Sequence, residues 1–312
     1  MARPFFFATA NYRVQHVALF DFVHGTTAAL WHTRWQVRGY IEAVPDATAA
    51  DLEARFVLGS GIRGANVKRT FLEQTWDEQR AEVARIVLIN SVALYEGWLA
   101  SVTRRFSGGA WADELQFHSK GVQGRKARGV RDALAGMTKQ KSPTMLSDLT
   151  PLLRAQPQYR GPELDDLLLI YRYFKEVRNA LVHAGGLGTA QLVKAHQDLH
   201  EVTTKSARLK EIPEHSAPAA EQPVELSLRG VIGLTAVVIH LVMTIDAELS
   251  QTHVAENEFL QRFRERYGTV ELPAEQPQRS RRVRSLTKNL GFPEPKSVQK
   301  IDELLAGESL TA

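Results

Sequence analysis

The spacing of hydrophobic residues predicts helices along most of the chain. Apolar positions recur at intervals of three and four residues over 12–32 and over 77–106, the longest such stretch. This is the period of an α-helix with one buried face. A third helix is predicted from a cap at Asp46 or Thr48 to a stop at Gly59.

Further helices follow in the second half of the chain. Their predicted ranges are 162–184, 189–205 and 227–267, the last as one helix or two abutting ones, with partial helix over 110–135. Two proline-containing ranges, 136–162 and 211–223, predict loops. No range alternates apolar and polar residues with the period of a strand, so the pattern predicts an all-α helical bundle.

Changes in composition divide the chain into three regions. Residues 1–76 are predicted to be an N-terminal helical extension packed on the bundle, and residues 77–267 the main helical domain. Residues 268–312 contain several prolines and a basic run. We expect them to form a loosely attached tail with one short helix near 298–306.

The amino-acid composition excludes several classes of chemistry. The chain has no cysteine, which excludes disulfides, cysteine nucleophiles, thiolate zinc sites and iron–sulfur clusters. A net charge of +4 allows an anionic partner without requiring one. The most apolar run, Val231 to Ile245, is shorter than the roughly 20 residues of a membrane span. We therefore expect no membrane segment and a cytoplasmic protein.

Polar chemistry concentrates at the end of the helix predicted over 162–184. One apolar stripe on it contains Leu167, Ile170, Phe174, Val177 and Leu181. A second, polar stripe contains Arg172, Glu176, Asn179 and His183. Arg178 flanks this stripe about 100° around the helix from Asn179. A guanidinium, an amide and an imidazole therefore project from the last turn of one helix.

This helix end has a simpler explanation. Basic side chains favour the last turn of a helix because they interact with its dipole and its free carbonyl groups. On the residues alone, two interpretations stay open. Either the basic side chains serve only to stabilise the helix end, or they form a functional site.

The run from Arg178 to His183, RNALVH followed by AGG, resembles the signature of HEPN domains. HEPN domains are all-α and occur in many prokaryotic toxins and defence nucleases. Their signature is an arginine, often followed by asparagine, with a histidine downstream. Glu96, in the apolar segment 89–99, resembles the acidic residue that the family carries on an earlier long helix. The resemblance covers about 77–250, and 239–246 is similar to the closing helix.

The resemblance implies a metal-independent endoribonuclease without a cofactor, of the toxin or antiphage defence kind. In this family the active site is shared between two motifs across a homodimer. His183 would then act as acid and base on the 2′-hydroxyl, and Arg178 would stabilise the phosphate charge. Asn179 would position the phosphate or the imidazole. Glu96 would orient these groups or serve as a structural acid.

The expected partners are RNA, a second copy of the chain and a regulatory partner such as an antitoxin. The predicted RNA contacts between the two HEPN-like helices are Lys120, Arg125, Lys126, Arg128 and Arg131. His196 and His200 have the spacing of a metal pair, but no carboxylate pattern completes a site, so no metal is expected. Two alternatives stay open: a non-catalytic HEPN-like binding or partner-regulated module, and an unrelated helical interaction protein.

Overall fold

Eleven α-helices build the part of the chain that the computed structural model describes, residues 3–106, 110–119 and 129–311. Their bounds are α1 Phe7–Ala43, α2 Ala49–Phe56, α3 Trp76–Thr103, α4 Gly129–Met137, α5 Thr150–Arg154, α6 Leu164–His183, α7 Ala190–Leu199, α8 Leu228–Leu249, α9 His253–Tyr267, α10 Gln276–Asn289 and α11 Val298–Gly307. Over the same residues there is no β-strand, and β-pairing is limited to isolated bridges. The predicted all-α class is confirmed.

α1 has 37 residues and is longer than α3, which the pattern had predicted to be the longest helix. Its start is fixed from a distant part of the chain. The backbone N–H groups of Phe5 and Phe6 donate to the carboxylate of Asp246 at 2.6 and 3.0 Å. The backbone N–H of Phe7 donates to the carboxylate of Glu258 at 2.8 Å. Asp246 is fully buried, and burial raises the pKa of its carboxyl to about 6.

α3, α6 and α8 lie at the centre of the bundle. A capping box between Thr75 and Glu78 caps the start of α3, and Ser227 caps α8, its side chain accepting the N–H of Gly230. The range 227–267 contains two helices, because the chain turns after Leu249 and Thr252 caps α9. The range 136–162, predicted as loop, contains a π turn at Met145–Leu149 and the short α5.

The prediction of a loosely attached tail is wrong. Val283, Phe292 and Ile301 are fully buried in the main hydrophobic core. The ring of Phe292 lies 4.9 Å from that of Phe5 and 5.1 Å from that of Phe259, centroid to centroid. The tail has few apolar residues, but those on α10 and α11 are spaced to face the core. It therefore forms two helices, α10 and α11.

The N-terminal region has two packing environments. The first turns of α1 join the main core, and the indole N–H of Trp98 in α3 donates to Thr9 at 2.9 Å. Farther along, the end of α1, α2 and the chain after it enclose a second core of Val37, Leu52, Val57 and Val67. Thr48, one of the two predicted caps, caps α2 through a capping box with Asp51, and the helix ends at Phe56, before the predicted stop at Gly59.

Two helices are long and apolar enough to cross a membrane by length and composition. They are α3 and α8, and 50% and 61% of their most apolar stretches are buried inside the protein. α8 has 22 residues, so the apolar run from Val231 to Ile245, which alone is too short for a span, is part of a helix of sufficient length. The core of a soluble protein produces the same pattern, and the cytoplasmic location stays a prediction.

Candidate active site at the end of α6

The predicted apolar stripe positions α6. Leu167, Ile170, Phe174 and Val177 are buried against the core, as their spacing requires. The helix ends at His183, because Gly185 and Gly186 adopt positive φ angles of 63° and 83° that glycine accepts readily. The N–H of Gly186 then donates back to the carbonyl of Ala180 at 3.0 Å. The Arg–Asn–His run therefore lies at a fixed helix end.

Glu96 of α3 holds two cations of α6. Its carboxylate lies 2.8 Å from Nη2 of Arg178 and 2.6 Å from Nζ of Lys175. Glu96 and Arg178 are 82 positions apart in the chain, so their contact depends on the packing of α3 against α6. The structure thus brings Glu96 and Arg178 together. Lys175, which sequence reasoning did not single out, belongs to the same cluster.

Asn179 extends this cluster along the helix. Its Oδ1 accepts from Nη1 of Arg178 at 3.0 Å, and its Nδ2 donates to Glu176 at 3.2 Å. Glu176 is buried and forms an ion pair with Arg172. A continuous polar network therefore joins Arg172, Glu176, Asn179, Arg178 and Glu96.

The network lies against a buried aromatic ring. The hydroxyl of Tyr171 is shielded from solvent and has no hydrogen-bond partner within the described residues. Burial raises the pKa of Tyr171 well above its ordinary value, and the charges of Tyr95 and Glu96 act in the same direction. Tyr171 therefore stays neutral and lines the polar network beside the carboxylate of Glu96.

His183 lies one turn beyond Asn179, outside the network. Its side chain is exposed and makes no hydrogen bond or ion pair with the described part of the chain. The arrangement at the end of α6 therefore combines a tethered guanidinium and amide with an imidazole that faces solvent. Such a group is accessible to an external phosphate or hydroxyl.

Of the predicted RNA contacts, only Arg131 lies within the described residues. Lys120, Arg125, Lys126 and Arg128 lie outside them. Arg131 donates through Nε to Asp165 at 2.8 Å and through Nη2 to the carbonyl of Pro162 at 3.2 Å. These bonds tie α4 to the start of α6, and a phosphate contact at Arg131 stays a prediction.

A histidine cluster lies elsewhere, where α7 meets the chain that precedes α8. The rings of His200 and His215 lie 4.5 and 5.5 Å from that of His196. Burial, followed by these two histidines, lowers the pKa of His196. No three or more histidines and carboxylates among the described residues are placed to hold a metal ion. Sequence reasoning paired only His196 with His200, because His215 lies in the predicted loop 211–223 and its contact with α7 depends on the tertiary fold.

The chain matches no family model, no curated protein and no solved structure. Any function assigned to the end of α6 therefore rests on the residues and geometry of this chain.

Proposed function

We propose that this chain is a metal-independent endoribonuclease of the HEPN type, acting as a toxin or defence effector. One observation carries the proposal: the last turn of α6 presents the exposed His183 beside an Arg178–Asn179 pair that Glu96 holds from α3. The likeness of this motif to the HEPN signature supplies the reaction class.

The reaction needs only proton transfers and charge stabilisation. A neutral His183 takes the proton of the ribose 2′-hydroxyl, and the oxygen attacks the adjacent phosphorus. The bond from phosphorus to the 5′-oxygen breaks, and that oxygen takes a proton from a protonated imidazole. The products are a 2′,3′-cyclic phosphate and a 5′-hydroxyl. The protonated imidazole would be His183 of a second copy, since one ring does not reach both sides of the phosphate.

Arg178 would stabilise the charge that develops on the phosphate oxygens. A guanidinium has five N–H donors, and the bonds to Glu96 and Asn179 leave others for a phosphate. Glu96 and Asn179 hold the guanidinium in one orientation, which reduces the cost of ordering it when substrate binds.

A non-catalytic binding module is the second candidate. The observation that favours it is the pairing of Arg178, whose largely buried guanidinium is already neutralised by Glu96. A structural cation inside a bundle has these properties. The two candidates differ in what they require of His183.

Replacing His183 separates them. We expect His183→Ala to reduce RNA cleavage by at least about 100-fold, the usual contribution of a general acid or base. The fold should remain, because the side chain is exposed. The assay uses total tRNA and a single-stranded RNA pool in EDTA, with thermal unfolding as the check on folding.

The matched control is His253→Ala, which removes another exposed histidine at the start of α9. Equal cleavage by wild type and His183→Ala would leave the binding module as the better account. Cleavage that EDTA abolishes and magnesium restores would contradict the proposed mechanism.

A further inference from the structure

An extended segment between α7 and α8 holds the residues that follow α6. We call this segment, residues 211–224, the strap. It contains no helix, and it pairs with Gly186 and Gly188 through backbone hydrogen bonds. These run from the N–H of Val224 to the carbonyl of Gly186 at 2.9 Å, from the N–H of Gly188 to the carbonyl of Gln222 at 2.8 Å, and from the N–H of Glu221 to the carbonyl of Gly188 at 2.9 Å.

Two glycines let the strap lie in close contact with its neighbours. A β-carbon at Gly188 would lie 2.1 Å from the carbonyl oxygen of Ala219, and one at Gly230 would lie 2.0 Å from that of Glu214. Any larger residue would therefore displace the backbone of the strap. The strap is closely packed both on the end of α6 and on the start of α8.

The histidine cluster lies beneath the strap. His215 of the strap is 5.5 Å from His196 of α7, ring to ring, and His200 is 4.5 Å from His196. Tyr173 of α6 completes the group, with its ring 5.7 Å from that of His196 and 5.6 Å from that of His215. Its hydroxyl donates to the carbonyl of Ser216 in the strap at 2.8 Å. The strap, α6 and α7 therefore meet at three imidazoles and one phenol.

His196 is the least accessible of the three imidazoles. Its side chain is 9% exposed and makes no hydrogen bond among the described residues. Burial, followed by the charges of His200 and His215, lowers its pKa. His215 donates from Nδ1 to the carbonyl of Pro213 at 2.8 Å, so its Nε2 is the nitrogen that takes up a further proton. The packed strap therefore accepts neutral rings.

The neighbouring groups supply no counter-charge for a protonated His196. Tyr173 is neutral, because burial raises its pKa to about 12. Each carboxylate near the cluster on α6, α7 and the strap has another partner. These pairs are Glu176 with Arg172, Asp198 with Lys194, Glu214 with the hydroxyl of Ser227, and Glu211 with Arg229 of α8. A proton on His196 thus adds an unbalanced charge beside two further imidazoles.

We propose that the strap is an acid-sensitive switch, closed on the end of α6 while the histidine cluster is neutral and opened when the cluster is protonated. Opening moves His215 away from His196 and lets water reach both rings. The open form binds protons more readily, because a hydrated histidine has a pKa of about 6.5. The closed form is therefore fully favoured above about pH 6.5 and loses stability as the pH falls below that value.

The switch acts on the backbone next to the candidate site. Gly186 and Gly188 follow His183 by three and five residues, and the strap holds both. An open strap would free the segment that fixes the last turn of α6, so the imidazole of His183 would be less well ordered. This consequence rests on the proposed ribonuclease function, whereas the switch itself does not.

Hydrogen exchange tests the switch without reference to activity. The amides to follow are those of Gly188, Glu221 and Val224 in the full chain at pH 7.5 and pH 5.0, corrected for the intrinsic pH dependence of exchange. We expect their protection to fall by at least about tenfold at pH 5.0. The amide of Leu241, in the middle of α8, should keep its protection, which separates opening of the strap from global unfolding.

Neutral replacements identify the groups that titrate. In His196→Asn the loss of protection at pH 5.0 should shrink to less than about twofold, since the buried group no longer takes up a proton. His215→Gln, at a less buried position, gives the same comparison if His196→Asn already loosens the strap at pH 7.5. The matched control is His240→Gln, which removes a half-buried histidine of α8 bonded to the carbonyl of Gln158 and should behave as wild type.

A covalent lock tests that the segment moves. Leu187 and Pro223 face each other in an antiparallel bridge, and the chain has no cysteine of its own. The oxidised Leu187→Cys/Pro223→Cys protein should keep its protection at pH 5.0, and the reduced protein should lose it. Equal protection of the wild type at both pH values would overturn the proposal. So would a loss that persists in both histidine variants. A switch that behaves as expected in a protein that cleaves no RNA would support the strap and refute the ribonuclease.

Discussion

At the scale of single residues, the Glu96–Arg178 pair decides how the candidate site works. The carboxylate lies within 2.8 Å of Arg178 and 2.6 Å of Lys175, and all three side chains are largely shielded from water. In the proposed function Glu96 positions Arg178 without touching substrate. As a structural acid it would stabilise the bundle and do nothing more.

We expect Glu96→Gln to lower both stability and activity. Loss of the charge leaves Lys175 and Arg178 without their carboxylate, which costs about 1–3 kcal/mol of unfolding free energy. Because the guanidinium is no longer held, cleavage should fall by more than the loss of folded protein accounts for. Urea unfolding and cleavage rates at a temperature where both proteins are folded measure the two effects.

Glu82→Gln is the matched control, since Glu82 is exposed on the same helix. Unchanged cleavage in a folded Glu96→Gln protein would assign Glu96 a structural role only.

Residue chemistry was predictable from the sequence where it follows helical spacing. Asn179 and His183 lie on one side of α6 because four residues make about one turn. The partners of these residues were only partly predictable. The family resemblance pointed to Glu96, but nothing in the local pattern indicated Lys175, because its contact with Glu96 depends on how α3 and α6 cross.

At the scale of elements, α10 and α11 differ most from the prediction. The sequence of 268–312 is rich in proline and arginine, which suggested a loose tail. The prolines lie at or near the ends of the two helices, and Arg279 is held by Asp302 at 2.9 Å. A few apolar side chains at helical spacing were enough to dock the segment, and composition alone does not reveal this.

Phe292→Ala tests whether the tail is part of the core. Phe292 is fully buried between Phe5 and Phe259, so truncation should cost about 3–5 kcal/mol of unfolding free energy. Leu58→Ala, at an exposed position, should change stability little. If urea unfolding showed equally small effects for both variants, the tail would not be docked in solution.

Helix ends were predicted well where the cap is local and poorly where it is remote. Thr48 caps α2 from within its own sequence. α1 instead begins where Asp246 and Glu258 accept its first N–H groups, and both lie more than 200 positions away. No local pattern predicts such a start, so the helix was expected to begin at residue 12.

At the scale of the whole molecule, the account depends on two copies acting together. His183 is exposed at the end of α6, where a second chain can reach it. In the proposed function each chain supplies one catalytic histidine, so the second imidazole comes from a symmetry mate. In the proposed function, cleavage and assembly are therefore linked at the end of α6.

Titration of wild-type chains with His183→Ala chains tests this link most directly. With total protein fixed and subunits exchanged, wild-type dimers form in proportion to the square of the wild-type fraction. If both His183 side chains are needed, an equal mixture should retain about one quarter of the cleavage rate of pure wild type. Mixing with His253→Ala instead should leave the rate unchanged. A rate of about one half, expected when each chain acts alone, would contradict the shared site.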